Sequence, residues 1–277
     1  MVLLNTLAWT LNDDLPVPAG ARLPDMPDSY DSYISSGLYD RRYPRPNRRT
    51  LRRLLSCLPE DGCFLDFGAG TGRYTLPLLE RTRARGVAYD ICPSACRTLA
   101  ERMEPYTRAG RLTVRGDTVA ALDFDYRDTF DLVLLAFGVL GHVAGRAERQ
   151  HILQVIRRTL KPGGALVLSL PNARRRFLAE QRDAELLVRA GELEPGDVLY
   201  ARGQGKDRIE MFYHLYTLDE AREDLAAAGF EVALSEAESM LAEETAVRRP
   251  LLGRFDGMVC RFLPASLGYG FLIVGRP

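Results

Sequence analysis

Residues 63–79 read CFLDFGAGTGRYTLPLL. An apolar run ends in a turn with glycine at 68, 70 and 72, and a second apolar run follows. A buried strand, a glycine turn and a helix together open an α/β unit, because glycine lets the backbone approach a ligand closely at the strand's C-terminal end. Such turns hold dinucleotides, nucleotides, phosphates and sulfonium cofactors. Spacing separates these. The dinucleotide fingerprint G-x-G-x-x-G wants a third small residue at position 73, which is Arg73, and a P-loop wants Gly-Lys-Ser/Thr, which is absent. A pyrophosphate ligand therefore loses ground.

Outward from this stretch, strands and helices alternate. Apolar strand patterns fall at 63–67, 86–89, 111–114, 130–137 and 165–170, with helical periodicity at 47–58, 73–83, 94–103 and 147–160. Pro77 is awkward in the second helix, so that helix is expected to start late or bend. FDLVLLAF (130–137) is apolar on both faces, as a central parallel strand is. The pattern implies a doubly wound parallel sheet. After Pro171 the rhythm breaks for about forty residues. Thr217 and Glu220 then form a capping box for a helix that ends at Gly229, followed by strands at 230–234 and 269–274. Residues 1–48, rich in Pro, Asp and Tyr, read as an N-terminal cap with one or two short helices. The long segments 172–216 and 239–268 read as lid insertions.

The 277 residues are 46% hydrophobic and 27% charged with zero formal net charge, which fits a globular chain and gives no overall pull toward nucleic acid. Lys161 and Lys206 are the only lysines. The opening MVLLNTLAW lacks a basic region and is interrupted by Asp13 and Asp14, so it is a poor signal peptide. No run approaches the roughly 18 apolar residues of a membrane span, and a cytoplasmic protein is expected. Five cysteines, an odd count in a long chain, argue against a disulfide framework. Cys92 and Cys96 have no partner pair nearby, so no metal site is expected.

Asp90 falls at the end of the second strand, where a carboxylate can accept both hydroxyls of a ribose. Gly116-Asp117 ends the third strand. One sheet edge thus carries Asp66, the glycine turn, Asp90 and Asp117, which suits a ribose-bearing ligand with a cationic middle.

The ordered motifs DFGAGTG, Asp90, Gly116-Asp117, FDLVLLAF and LKPGGALVLS resemble those of class I S-adenosylmethionine (SAM)-dependent methyltransferases. The resemblance covers about residues 50–172 well. It implies an α/β Rossmann-like sheet of seven strands, mostly parallel with an antiparallel last strand, in a methyltransferase domain from 49 to 277. It implies SAM as cofactor and S-adenosylhomocysteine as product. The backbone of Gly68, Ala69, Gly70 and Gly72 would face the methionine part, Asp66 its amino group and Phe137 the same group through its carbonyl. Asp90 would take the ribose, Ile91 would lie on the adenine, and Asp117 with Thr118 would bind the adenine amino group.

For the acceptor side, His142 follows the fourth strand and His214 lies in MFYHLY; both are candidate catalytic bases. Tyr39, Tyr43, Tyr213 and Arg174 are candidate acceptor contacts. The leading expectation is methyl transfer to a small metabolite or natural-product intermediate. The competing readings are a tRNA wobble-uridine methyltransferase, resembled around His214 and its tyrosine neighbours, a SAM enzyme with aminocarboxypropyl transfer or cyclisation, and a silent cofactor-binding subunit. With no basic stripe, nucleic acid is the weaker partner. The sequence leaves the oligomeric state open.

Overall fold

The structure is a computed structural model that describes residues 15–16, 23–203, 205 and 208–277. The opening stretch 1–14 and Lys206 lie outside the described residues. A two-residue strand β1 (Leu15–Pro16) and helices α1 (Met26–Ser35), α2 (Leu38–Arg42) and α3 (Arg48–Cys57) precede strand β2 (Cys63–Phe67). Then come α4 (Thr75–Arg81), β3 (Arg85–Tyr89), α5 (Pro93–Arg102), α6 (Glu104–Arg108), β4 (Leu112–Arg115), α7 (Val119–Asp125), β5 (Phe130–Leu135), α8 (Arg146–Thr159) and β6 (Leu160–Pro171). The remainder is α9 (Leu178–Arg189), β7 (Asp197–Arg202), β8 (Ile209–His214), α10 (Leu218–Ala227), β9 (Glu231–Ser239), α11 (Glu243–Arg248), α12 (Pro250–Val259) and β10 (Gly270–Arg276). No helix among the described residues is long and apolar enough to cross a membrane.

Seven strands form one sheet in the order β4-β3-β2-β5-β6-β10-β9. β10 runs antiparallel to both its neighbours, and the β2–β6 pairs are parallel. Alternate residues of each strand feed two cores. Leu65, Val133, Leu166 and Ile273 meet α8 and α10 on one face; Phe64, Leu132, Val167 and Leu272 meet α3, α4 and α5 on the other. Burial on both faces is why FDLVLL carries no polar alternation, and each such leucine contributes roughly 1.5–3 kcal/mol on burial.

Helix α4 begins late, at Thr75, as Pro77 requires. Pro77 then lies in the first turn, where no intrahelical partner for its missing N–H is needed. Thr217 caps α10 by accepting from the Glu220 N–H, as the motif predicts, but the Glu220 carboxylate turns away from the cap to His214.

A third core lies over the C-terminal edge of the parallel strands. Tyr33, Ile34, Tyr39 and Tyr43 of the N-terminal segment pack there with Phe177, Val198, Tyr200, Met211 and Tyr213 of the 172–216 insertion and Val247 of α11. The insertion is a helix and a hairpin, and the hairpin pairs with β1 as a separate three-stranded sheet. The hairpin docks on the turn that follows β5 through two glycines. Gly138 has φ of 74°, and a Cβ there would overlap the Tyr213 hydroxyl; one at Gly141 would lie 2.7 Å from the His214 carbonyl. Gly191 also has positive φ, 75°, but with nothing near a Cβ. Gly138→Ala should therefore lower stability by about 2–4 kcal/mol, strain plus overpacking, against about 1 kcal/mol for Gly191→Ala. Urea denaturation midpoints check the pair; equal losses would show that the close hairpin contact is not what Gly138 serves.

Candidate active site

The glycine turn lies between β2 and α4. Gly68, Gly70 and Gly72 all have positive φ, at 76°, 55° and 87°. The Gly68 and Ala69 N–H groups donate to the Tyr89 carbonyl at 2.8 and 3.0 Å, tying the turn to β3. Asp90 tightens this. One carboxylate oxygen accepts from the Gly70 N–H at 2.7 Å and the other from the Cys92 N–H at 2.9 Å. Burial pushes the Asp90 pKa up, and the two backbone bonds oppose that. Asp66 lies beneath the turn and accepts from the Thr75 hydroxyl at 2.6 Å. Burial pushes its pKa to about 7, against the Thr75 bond and with help from the Asp90 charge.

A cavity of about 330 Å³ opens above this turn, within the size range of small-molecule sites. Phe67, Gly68, Gly70, Asp90, Ile91, Phe137 and His142 line it, and Met26, Tyr30, Ile34 and Tyr39 of the N-terminal segment close it. Ile91 is 51% exposed, an apolar face presented at the cavity edge. A larger groove, of about 830 Å³, lies on the outer side of the turn among Arg45, Arg48, Arg52, Arg81 and Arg102. It does not reach Asp90, the carboxylate that a ribose would meet.

Phe137 has φ of 63°, uncommon for a residue with a side chain and a conformation often found at sites. Its ring meets Tyr43 and Tyr39 at 4.4 and 6.3 Å, and the Arg73 guanidinium lies 4.7 Å above it. Arg73, which weighed against the dinucleotide reading, is buried, pairs with Glu243 and donates to the Arg45 carbonyl at 2.7 Å. It bridges the turn, the cap and the second insertion.

His142 Nδ1 faces the Phe212 carbonyl at 2.9 Å, which can only accept, so Nδ1 carries the hydrogen. Nε2 is then bare and accepts from the Tyr30 hydroxyl at 2.6 Å. Burial pushes the His142 pKa down to about 3, with the Arg176 charge adding and the Phe212 bond opposing. His142 is thus a neutral ring that orients Tyr30, stacked on Tyr213 at 4.2 Å.

Other expected residues stand apart from the cavity lining, Asp66, Ala69, Gly72, Tyr43 and Tyr213 among them; Gly72 and Tyr43 line the outer groove instead. Asp117 pairs with Arg115, whose hydrogen bond holds its pKa low. Thr118 caps α7, and its neighbour Val119 lines the cavity. Arg174 is exposed. His214 is fully buried between Asp197 at 2.7 Å and Glu220 at 2.9 Å. Glu194, Asp197 and His214 bring donor atoms within 4.8 Å of one another, the geometry of a metal cluster. Arg149, fully buried, already supplies the positive charge there, 2.7 Å from Glu194. The residues that sequence reasoning missed are Met26, Tyr30, Ile34, Val119 and Val139. Only Tyr30 gave a signal, as one of four tyrosines between 30 and 43.

The family described as "Methyltransferase domain" matches residues 39–235. The chain belongs to the class I SAM-dependent methyltransferases. A protein of Methanothermobacter thermautotrophicus named "Probable cobalt-precorrin-6B C(15)-methyltransferase (decarboxylating)" is 32% identical over 178 residues, 61% of this chain and 83% of the relative. A SAM-dependent methyltransferase of Methanosarcina mazei superposes with a TM-score of 0.58 at 22% identity, covering 81% of this chain and 96% of that one. The 1,6-didemethyltoxoflavin-N1-methyltransferase of Burkholderia thailandensis, with bound 1,6-didemethyltoxoflavin and S-adenosylhomocysteine, gives 0.56 at 20% identity, covering 95% and 94%.

Burial alone would push the His214 pKa down; the bonds to Asp197 and Glu220 outweigh it and leave the pKa raised. The stabilisation is therefore full below the ordinary histidine pKa and is lost as pH rises through the raised value. Wild-type stability should fall between pH 6 and pH 9 by more than that of His214→Gln, measured by urea unfolding. Parallel pH profiles would contradict a histidine whose pKa is raised by its two carboxylate bonds.

Proposed function

We propose that this methyltransferase moves a methyl group from SAM to a small-molecule acceptor on the far side of Phe137 from the adenosine. The observation that carries this is the cavity itself, which joins Gly68 and Gly70 of the glycine turn, Asp90 and Ile91 to a cap that includes the chain's own Tyr30 and Tyr39. The residues present fit the cofactor. Gly70 sits in the left-handed region beside the Tyr39 hydroxyl with room above it, as a turn cradling a methionine tail requires.

In this reading Gly68, Ala69, Gly70 and Gly72 cradle the methionine tail, and Asp66 binds its ammonium with the Phe137 carbonyl. Asp90 takes the ribose hydroxyls and Ile91 lies against the adenine. Val119 takes the inner face of that ring; Asp117 reaches the adenine amino group only by leaving Arg115, and Thr118 contributes through its position at the start of α7. Tyr39 closes over the methionine end. SAM, when bound, supplies an electrophilic methyl on a sulfonium. The chain supplies alignment and water exclusion, which together are worth about 7–11 kcal/mol of barrier in favourable cases. Neutral His142 holds the Tyr30 phenol over the cavity, and Tyr43 and Tyr213 wall the acceptor side. Cap and insertions are read as one device, a hood over residues 49–277 that admits compact acceptors.

The tRNA reading rested on His214 and its neighbours, and His214 is turned into the Asp197–Glu220 cluster away from the cavity. A small acceptor agrees better with a site roofed by buried aromatic rings.

Calorimetric titration with S-adenosylhomocysteine tests the assignment. Asp90→Ala should weaken binding about 10- to 150-fold, since hydrogen bonds to a charged group are worth roughly 1.5–3 kcal/mol. Wild-type affinity in that variant would remove the ribose assignment. Asp66 adds a pH test. Below about pH 7 its carboxyl is protonated in the free protein, so capture of an ammonium must release that proton. Affinity should rise from pH 6 toward pH 7.5 and flatten above, and Asp66→Asn should abolish the slope. A pH-independent wild type would contradict the amino-group contact.

A further inference from the structure

A second, smaller pocket adjoins the cavity across Phe137. Phe137, Gly138, Ser169, Arg176, Glu238 and Tyr269 are among its lining residues. Arg176 is the anomaly in it. The guanidinium lies over the rings of Tyr269, Tyr213 and Phe177 at 5.0, 5.2 and 5.5 Å. Its Nε is buried without a hydrogen-bond partner, and no carboxylate of the described residues forms an ion pair with it. Attraction to neutral rings offsets only part of the cost of taking a guanidinium out of water. The Arg176 side chain also hydrogen-bonds the Tyr213 hydroxyl, but that partner is neutral, and a cation with no opposite charge beside it calls for an anion.

The pocket's own acids are engaged elsewhere. Glu243 accepts from Arg73 and from the Asn47 amide at 2.9 Å. Glu238 accepts from the Thr50 hydroxyl at 2.6 Å and the Ser169 hydroxyl at 2.7 Å. Burial, with the Glu243 charge, pushes the Glu238 pKa to about 7, so near neutrality Glu238 is only partly ionised. Arg73 balances Glu243, and Arg176 is the cation left over.

We propose that Arg176 anchors a carboxylate on the methyl acceptor. The pocket lined by Phe137, Ser169 and Tyr269 holds only about 10 Å³, so the carboxylate alone approaches the guanidinium there and the acceptor's body stays on the Phe137 side, toward the larger cavity. The planar fork of Arg176 suits a carboxylate in bidentate fashion. The flanking rings favour a flat, compact acid over a polymer or a bulky phosphate ester. The neighbouring Arg174, offered by the sequence as an acceptor contact, is exposed, whereas Arg176 lines the pocket. The inference rests on the methyltransferase reading for the word acceptor, but the anion site stands on Arg176 and its surroundings.

Benzoate and phenylacetate, each against its neutral amide, are the probes. They are titrated by calorimetry into wild type, Arg176→Gln and Arg176→Lys, with and without saturating S-adenosylhomocysteine. At least one acid should bind wild type tenfold or more tighter than its amide. Arg176→Gln should lose that preference while keeping S-adenosylhomocysteine affinity within twofold, and Arg176→Lys should keep a reduced preference. No preference for either acid in wild type, or an unchanged preference in Arg176→Gln, overturns the proposal. Loss of S-adenosylhomocysteine binding in a folded Arg176→Gln overturns it too, because Arg176 would then serve the cofactor. If Arg176→Gln does not fold, the acid–amide comparison in wild type and Arg176→Lys decides. Failure of wild type to bind S-adenosylhomocysteine counts against the methyltransferase site alone, since the acid–amide preference is read separately on the free protein.

Discussion

The Asp90 carboxylate, accepting from the Gly70 N–H at 2.7 Å, fixes the centre of this molecule. A turn with three left-handed glycines is entropically costly and needs to be held. Asp90 holds it from β3, the Tyr89 carbonyl holds it from the same strand, and Thr75 links α4 to Asp66 beneath. The floor of the cavity is therefore set by a carboxylate that still faces open space. That a ribose would meet the same group makes cofactor binding and turn geometry one problem. Burial raises the pKa of both Asp66 and Asp90, and the Asp90 charge adds to the rise at Asp66.

Above that floor the chain builds its roof from aromatic side chains. The N-terminal segment and the 172–216 insertion are far apart in sequence, yet they share one core. Aromatic rings suit this role, as they bury large areas and still offer a polar tip. Tyr30 and His142 show how such tips are settled: the Phe212 carbonyl fixes the tautomer, and the tautomer makes Nε2 the acceptor for the phenol. Arg73 ties roof to floor through Glu243, Arg45 and the Phe137 ring. A buried ion pair of this kind is a weak source of net stability, but it fixes register between elements that have no backbone ladder between them.

The parallel sheet was legible because each strand is buried on both faces and each helix on one, so periodicity carries the signal directly. The glycine turn and Asp90 were legible because their positions at strand ends are dictated by backbone sterics and by the edge where ligands bind. The insertions were not. Residues 172–216 contain a helix and a hairpin, but the hairpin's pairing with β1 joins segments about 185 residues apart, and nothing local encodes such a contact. The roles of the two histidines were hidden for a similar reason. His142 and His214 look equivalent in sequence, and only the tertiary partners, a carbonyl and a phenol for one and two carboxylates for the other, divide them into a cavity residue held neutral and a buried residue whose pKa is raised. Arg73 weakened the dinucleotide reading by its size, but nothing local told where its guanidinium goes: the residue lies before the start of α4 and pairs with Glu243.

The central claim is that the cavity between the glycine turn and the tyrosine roof is where adenosine and methionine are held. A crystal structure of the protein grown with S-adenosylhomocysteine tests it most directly. The account predicts ligand density in that cavity, with the ribose hydroxyls on Asp90 and the amino group above Asp66. Density in the outer arginine groove instead, or a ligand lying in the cavity with its ribose away from Asp90, would contradict it.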